Sequence, residues 1–168
     1  MEKSKADTSY IFRQSHPSVA DLRYGALHRR FADVGCGVAA IYNVMLFLGK
    51  PQAIPDIIRE AESLKMPWLF GMFGTKPKSL GRYFDKKGVA YTQTDSAARF
   101  REGLKTACCA IICAWNEPKT NGIHFFAVIR TAEGCRSLNQ YSNCDSATDF
   151  SPDEISEKRF ITGYLFGQ

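Results

Sequence analysis

A single apolar helix constrains the fold of this chain more than any other feature. The run from Val38 to Leu48 is apolar on almost every side of the helix that it predicts, with Asn43 as an interruption. Gly49 and Pro51 follow and end the helix. A helix that is apolar all round is buried inside a protein, so other elements must cover it. It is too short to cross a bilayer.

Cys36 lies in the first turn of that helix, between Gly35 and Gly37. A helix N-terminus carries partial positive charge, which favours a thiolate over a thiol. The two glycines leave room for a substrate backbone to approach the sulfur. The alternative is a structural cysteine, since buried cysteines are common. The position at the helix start, rather than in its middle, favours a nucleophile.

His124 is the candidate general base. It opens the apolar run HFFAVIR, which predicts a buried strand, and Gly122 just before it relaxes the backbone where a substrate would pass. Imidazole titrates near neutral pH and can therefore accept and return a proton. The alternative is a core histidine with satisfied hydrogen bonds. The other two histidines lie in an irregular N-terminal segment without a rigid scaffold.

Asn139 is the candidate orienting residue, near the end of the strand that follows a hairpin turn at 131–134. An amide oxygen that accepts from Nδ1–H of His124 would fix the tautomer and aim Nε2 at the sulfur. A turn-forming asparagine is the alternative, and Asp145 is a weaker rival for the role. The order cysteine on a helix, histidine on a strand, amide after the next strand is typical of papain-like thiol catalysts.

Composition limits the remaining functions. The 168 residues suggest one domain, and 45% hydrophobic residues allow a sizeable core. The net charge of +5 is scattered, which argues against nucleic-acid binding. Six cysteines form no CxxC pair and no Cys/His cluster, so we expect no metal and no cofactor. The first residues lack the apolar segment of a secretory signal, so we expect a cytoplasmic protein without membrane insertion. The oligomeric state stays open.

The order of elements predicts an α+β class, with N-terminal helices packed on a C-terminal antiparallel sheet. An N-terminal arm, residues 1–33, precedes a mainly helical part, 34–106, and a sheet part, 107–168. The predicted helices are Val19–Arg30 (short), Cys36–Leu48, Ile54–Leu64, Pro77–Lys87 and Ser96–Lys105. The predicted strands are Val89–Thr94, Ala107–Trp115, Ile123–Arg130, Cys135–Tyr141 and Arg159–Phe166.

Three segments carry a family resemblance: CGVAAIYNVMLFLGK, GIHFFAVIR and SLNQYSN. Together they resemble the papain-like peptidase domains that cut double-glycine leaders from bacteriocin precursors, and their stand-alone bacterial relatives. The resemblance extends from Asp33 to Asn143. It implies a papain-like fold and a peptide or protein substrate. It also implies Cys36 as nucleophile, His124 as base and Asn139 as orienting residue.

The chain departs from that family before the cysteine. The family carries a glutamine a few residues upstream, whose amide helps to bind the oxyanion, but the stretch HRRFADVG has none. Val38 also replaces the usual proline. The backbone N–H of Cys36 supplies one donor. We expect Arg30 to supply a second, or Gln14 if the arm folds back across the cleft.

The loop KMPWLFGMFGTK, residues 65–76, has two interpretations. Its aromatic residues could cover the edge of the core. Alternatively, Trp68, Phe70, Met72 and Phe73 could line a substrate cleft beside Cys36, because exposed aromatic patches often mark binding sites.

The sequence therefore predicts a thiol-dependent peptidase or amidase. A papain-like acyltransferase would share the same covalent intermediate. A catalytically silent, peptide-binding module is the alternative from another class, and the missing glutamine favours it. A thiol redox sensor is a third possibility, for which the sequence places no resolving cysteine beside Cys36.

Overall fold

Five α-helices and eight β-strands form the described part of the chain, residues 9–167 of a computed structural model. The helices are α1 (Phe31–Val34), α2 (Cys36–Phe47), α3 (Ile54–Ser63), α4 (Leu80–Lys86) and α5 (Ala97–Leu104). The strands are β1 (Arg23–Tyr24), β2 (Arg29–Arg30), β3 (Thr92–Thr94), β4 (Cys109–Trp115), β5 (Ile123–Thr131), β6 (Gly134–Leu138), β7 (Thr148–Asp149) and β8 (Phe160–Phe166). The predicted α+β class is confirmed.

Six of these strands form one antiparallel sheet in the order β3-β8-β4-β5-β6-β7. The apolar β4 lies in its interior between β8 and β5, as predicted. A strand with neighbours on both sides and elements on both faces reads as a continuous apolar run, because both of its faces are buried.

The two faces of the sheet bury different helices. Odd-numbered residues of β4 and β5, such as Ile111 and Phe125, join a core that also contains the buried residues of α2. Even-numbered residues, such as Ile112 and Phe126, pack with Ala97, Phe100 and Leu104 of α5. The alternation follows from the two-residue period of a strand. Its consequence is that α2 and α5 lie on opposite faces of β5.

Helix α2 is buried from Cys36 to Met45, as its composition predicts. Its one polar side chain, Asn43, is fully buried and has a specific partner. The Asn43 side chain accepts from the backbone N–H of Ile11 at 2.8 Å and donates to the Ile11 carbonyl at 2.9 Å. The amide thus ties the N-terminal segment to the central helix.

The predicted helix at Val19–Arg30 is wrong. The chain forms turns there, followed by the two-stranded ladder of β1 and β2. Gly25 has a φ of 76°, and a Cβ on it would lie 2.6 Å from the Cα of Gly71. Only glycine fits such a close approach of two backbones. The turn is set by this tertiary contact and not by local propensity.

Most other boundaries agree with the predictions to within a few residues. Helix α4 begins at Leu80 rather than Pro77 and is followed by Gly88 at a φ of 62°. Ser96 caps α5 by accepting from the N–H of Arg99. Strand β6 ends at Leu138 instead of Tyr141, which changes the environment of Asn139. In residues 9–167, no helix has the length and apolar character needed to cross a membrane.

Candidate active site

Cys36 is the first residue of α2 and is buried. The backbone N–H groups of Phe125, Gly37 and Cys36 itself are directed at its sulfur and favour the thiolate. Burial has the larger, opposite effect, so the pKa of the thiol is raised above its ordinary value. The helix N-terminus alone therefore does not generate the thiolate that the sequence suggests.

The two glycines beside Cys36 serve packing rather than open access. A Cβ on Gly35 would lie 2.5 Å from the ring of Phe31, and one on Gly37 would lie 2.5 Å from Oγ1 of Thr75. Both positions are therefore filled by neighbouring side chains. This differs from the expected role, in which the glycines admit a substrate backbone.

His124 is the second residue of β5, and one of its nitrogens has a defined partner. Nε2 lies 2.5 Å from the backbone carbonyl oxygen of Asn139. Because a carbonyl only accepts, Nε2 carries the hydrogen and Nδ1 is left with the basic lone pair. Burial lowers the pKa of the imidazole, and the bond to Asn139 partly opposes that shift. The ring is therefore neutral at neutral pH.

Asn139 lies one residue beyond β6 and has a φ of 61°. This left-handed conformation, which asparagine tolerates well, turns its carbonyl toward His124. Its side-chain amide points elsewhere: Oδ1 accepts from the backbone N–H of Gln14 at 2.8 Å. The expectation that the amide orients His124 through Nδ1 needs correction, since the carbonyl holds Nε2 instead. The physical reason is that β6 ends early, at Leu138 opposite Ala127.

The two candidate oxyanion donors differ in placement. The arm folds back onto the site, and Gln14 Nε2 donates to the carbonyl of Ala32 at 2.8 Å. The Arg30 guanidinium instead lies 3.1 Å from Asp21 Oδ1, with about half of its side chain exposed. In this arrangement Arg30 is paired with Asp21 and the Gln14 amide with Ala32, so neither side chain donates at the Cys36 thiol.

Cys36 and His124 both lie where the start of α2 meets the start of β5, but no hydrogen bond links their side chains. The sulfur faces the N–H of Phe125, the residue that follows His124. The imidazole, however, stacks near Phe126, with ring centroids 6.3 Å apart, on the face of β5 that packs with α5. Within residues 9–167, no hydrogen bond links the Cys36 thiol to the His124 imidazole.

Two clefts flank the beginning of β5. The first, of about 380 Å³, lies between the loop at Trp68–Phe73 and the segment Gly122–Ile123, and Val34 lines it near the start of α2. The second, of about 260 Å³, contains His124 and is lined by Phe126, Gln140, Tyr141, Phe150 and Arg159. Trp115 contributes to both clefts. His124 lines the second cleft only, and the buried Cys36 lines neither of them.

The loop at Trp68–Phe73 forms one wall of the first cleft, but Cys36, beside which this cleft was expected, is not in its lining. Trp68, Met72 and Phe73 line the first cleft, whereas Phe70 is 71% exposed and lies outside its lining. Gly122, with a φ of 78° and open space where a Cβ would be, stands across the cleft from them.

Sequence reasoning did not identify Trp115 and Arg159 as site residues. Trp115 ends the interior strand β4, and its position at a strand end beside a glycine-containing loop is the signal that could have identified it. Arg159 donates through Nε to the carbonyl of Trp115 at 2.9 Å, a contact that has no local signature.

The chain matches no known protein-family model, and no curated protein is matched either. Among residues 9–167, no three His, Cys, Asp or Glu side chains gather closely enough to hold a metal ion.

Proposed function

We propose that the protein is a thiol-dependent peptidase or amidase with a papain-like arrangement of nucleophile and base. The observation that carries the proposal is the bond between His124 Nε2 and the Asn139 carbonyl. It fixes one tautomer and leaves Nδ1 free as a base, on the residue before Phe125, whose backbone N–H is directed at the sulfur of Cys36. A histidine with a purely structural role would need no free basic nitrogen in the lining of a cleft.

The directions of the two pKa shifts support a mechanism that starts from neutral groups. A thiol with a raised pKa and an imidazole with a lowered pKa coexist as neutral groups, not as a preformed ion pair. His124 Nδ1 therefore removes the thiol proton as the sulfur attacks the substrate carbonyl carbon. The resulting imidazolium returns that proton to the leaving amine as the C–N bond breaks. Water then hydrolyses the acyl-enzyme.

This mechanism requires the thiol and the imidazole to approach each other when substrate binds. Catalytic hydrogen bonds are often long in unliganded proteins and shorten only in the complex. The oxyanion receives the backbone N–H of Cys36.

The test is turnover of a pool of internally quenched peptides by three proteins. Cys36→Ala should lower turnover at least about a thousandfold, since it removes the nucleophile. Its melting temperature should change little, because only one sulfur atom is lost. Cys109→Ala, at a buried position in β4, is the matched control and should keep its turnover. Retained turnover in Cys36→Ala would contradict the proposal.

The second candidate is a silent peptide-binding module. The missing thiol–imidazole hydrogen bond and the raised pKa of Cys36 favour it. In that case the wild-type protein binds peptides saturably but cuts none, and Cys36→Ala binds them equally well. An acyltransferase differs from a hydrolase only in the group that accepts the acyl chain. Adding a primary amine and identifying the product by mass spectrometry separates those two activities.

A further inference from the structure

Gln14 contacts both halves of the candidate active site. Its side chain donates to the carbonyl of Ala32 at 2.8 Å, in α1, the helix directly before Gly35 and Cys36. Its backbone N–H donates to Asn139 Oδ1 at 2.8 Å, and Asn139 Nδ2 approaches Gln14 Oε1 at 3.5 Å. One residue of the N-terminal arm thus links the helical side and the sheet side.

The core packs α2 against β5, but Asn139 lies beyond the sheet ladder and has few other contacts that fix its position. Strand β6 has ended at Leu138, so Asn139 has no ladder partner on β5. Its left-handed backbone conformation is held by the contacts of its side chain, and those contacts are with Gln14. The carbonyl that holds His124 belongs to the same residue. A shift of Gln14 therefore moves the acceptor of the imidazole.

The arm is itself anchored firmly enough to serve this purpose. Three residues before Gln14, the buried Asn43 amide holds both backbone groups of Ile11. Arg13 adds an ion pair with Asp145 at 2.7 Å. Gln14 thus lies on a segment fixed by α2, the same helix that carries Cys36.

We propose that Gln14 is a positioning residue that sets the separation between the Cys36 thiol and the His124 imidazole. It acts through Ala32 on one side and through Asn139 on the other. This role rests on the proposed thiol chemistry. A misplacement of about 1 Å at a reacting pair costs on the order of a hundredfold in rate, so the two contacts are sufficient to matter.

Gln14→Met tests the proposal without removing side-chain volume, since methionine has a similar length but can neither donate to the Ala32 carbonyl nor accept from Asn139 Nδ2. The backbone N–H of residue 14 still donates to Asn139 Oδ1, so the variant tests the side chain alone. We expect kcat to fall about tenfold to a hundredfold while KM stays within about twofold. Gln93→Met is the matched control. Gln93 Nε2 donates to Thr162 Oγ1 at 3.3 Å at the far edge of the sheet. It should leave both constants unchanged.

A second measurement reads the same contact without any substrate. Nitrogen-15 NMR of the imidazole should show His124 in the wild-type protein as a single tautomer with the hydrogen on Nε2. In Gln14→Met, the displaced Asn139 carbonyl should allow a mixture of tautomers. Gln14→Ala repeats the measurement in case the methionine variant is poorly folded.

The outcomes separate this role from the proposed function. If the wild-type protein cuts peptides and Gln14→Met has the same kcat and a single tautomer, Gln14 has no positioning role but the peptidase stands. If the wild-type protein cuts no peptide, the peptidase fails. In that case a mixture of tautomers in Gln14→Met still supports the link to His124, and a single tautomer overturns it.

Discussion

Two regions near the site contain non-glycine residues at positive φ. In one region the residue is buried, and in the other the residues are exposed. Asn139, with a φ of 61°, is 3% exposed and its side chain is hydrogen-bonded to the arm. Leu69 and Phe70, with φ of 45° and 60°, are 52% and 71% exposed. The same backbone conformation therefore aims a buried carbonyl in one region and holds apolar side chains outward in the other.

The difference lies in which residue carries the conformation. Asparagine adopts the left-handed region readily, whereas leucine and phenylalanine do so at a cost of about 1–2 kcal/mol each. At Leu69 and Phe70 the conformation is imposed from outside, by the bond from Leu27 N–H to the Phe70 carbonyl and by the contact of Gly25 with Gly71. Local chemistry explains the buried turn, and only tertiary contacts explain the exposed loop.

The largest expected effect comes from removing the anchor of the arm, on which the buried turn depends. Asn43→Leu leaves the N–H and the carbonyl of Ile11 buried without partners. We expect the free energy of unfolding to fall by about 3 kcal/mol, measured by urea denaturation. Asn143→Leu, at an exposed position, is the control and should change it by less than about 0.5 kcal/mol. Equal effects would mean that the arm is not held by Asn43.

A pair of substitutions at Asn139 sharpens the comparison. Asn139→Val loses the amide and resists a positive φ, so stability should fall by about 2 kcal/mol and turnover should be lost. Asn139→Gly keeps both the conformation and the carbonyl. Because the link to Gln14 is lost, it should lose about 1 kcal/mol of stability, and its kcat in peptide turnover assays should fall about as far as that of Gln14→Met but not to the level of the valine variant. If the glycine variant is as inactive as the valine variant, the amide orients His124 and the carbonyl does not.

At the exposed loop, a substitution by glycine should raise the free energy of unfolding instead of lowering it. Leu69→Gly relieves an imposed left-handed conformation, so thermal unfolding should show a gain of about 0.5–1 kcal/mol. Leu27→Gly is the matched control, because Leu27 is similarly exposed but has no positive φ to relieve. It should lose stability. A loss in both variants would show that packing of the Leu69 side chain outweighs the backbone strain.

The smallest expected effect is on the rate at which the Cys36 thiol is alkylated and on how that rate changes with pH. Because burial raises the pKa of the Cys36 thiol, less thiolate is present at neutral pH than for an ordinary cysteine. Alkylation of Cys36 by iodoacetamide, followed by mass spectrometry, should therefore be a few-fold slower than for free cysteine and should still rise with pH above 9. The Cys36→Ala variant supplies the background. A rate that is already constant below pH 7 would indicate a preformed ion pair instead.

Local patterns were sufficient for much of the fold. The periodicity of the sequence predicted α2, α3 and the interior strand β4, because apolar spacing reports burial directly. The same reasoning selected Cys36 and His124, whose positions at a helix start and a strand start can be read from neighbouring residues. The structure places both where those elements meet.

Contacts made by backbone carbonyls could not be predicted. The bond from His124 to Asn139 uses a group that every residue possesses, so no residue type signals it. The pairing of β1 with β2 depends on Gly25 meeting Gly71, far along the chain. Asn43 was the one visible signal of a long-range contact, since a lone amide in a buried helix must have a partner.

The bond between Gln14 and Asn139 joins residues 125 positions apart. On the ribosome, the helix that carries Cys36 is therefore synthesised and can begin to fold long before Asn139 emerges. Until then, His124 lacks the carbonyl that fixes its tautomer, and Gln14 lacks its hydrogen-bond partner Asn139. In a nascent chain the proposed thiol centre is thus incomplete until Asn139 has been synthesised.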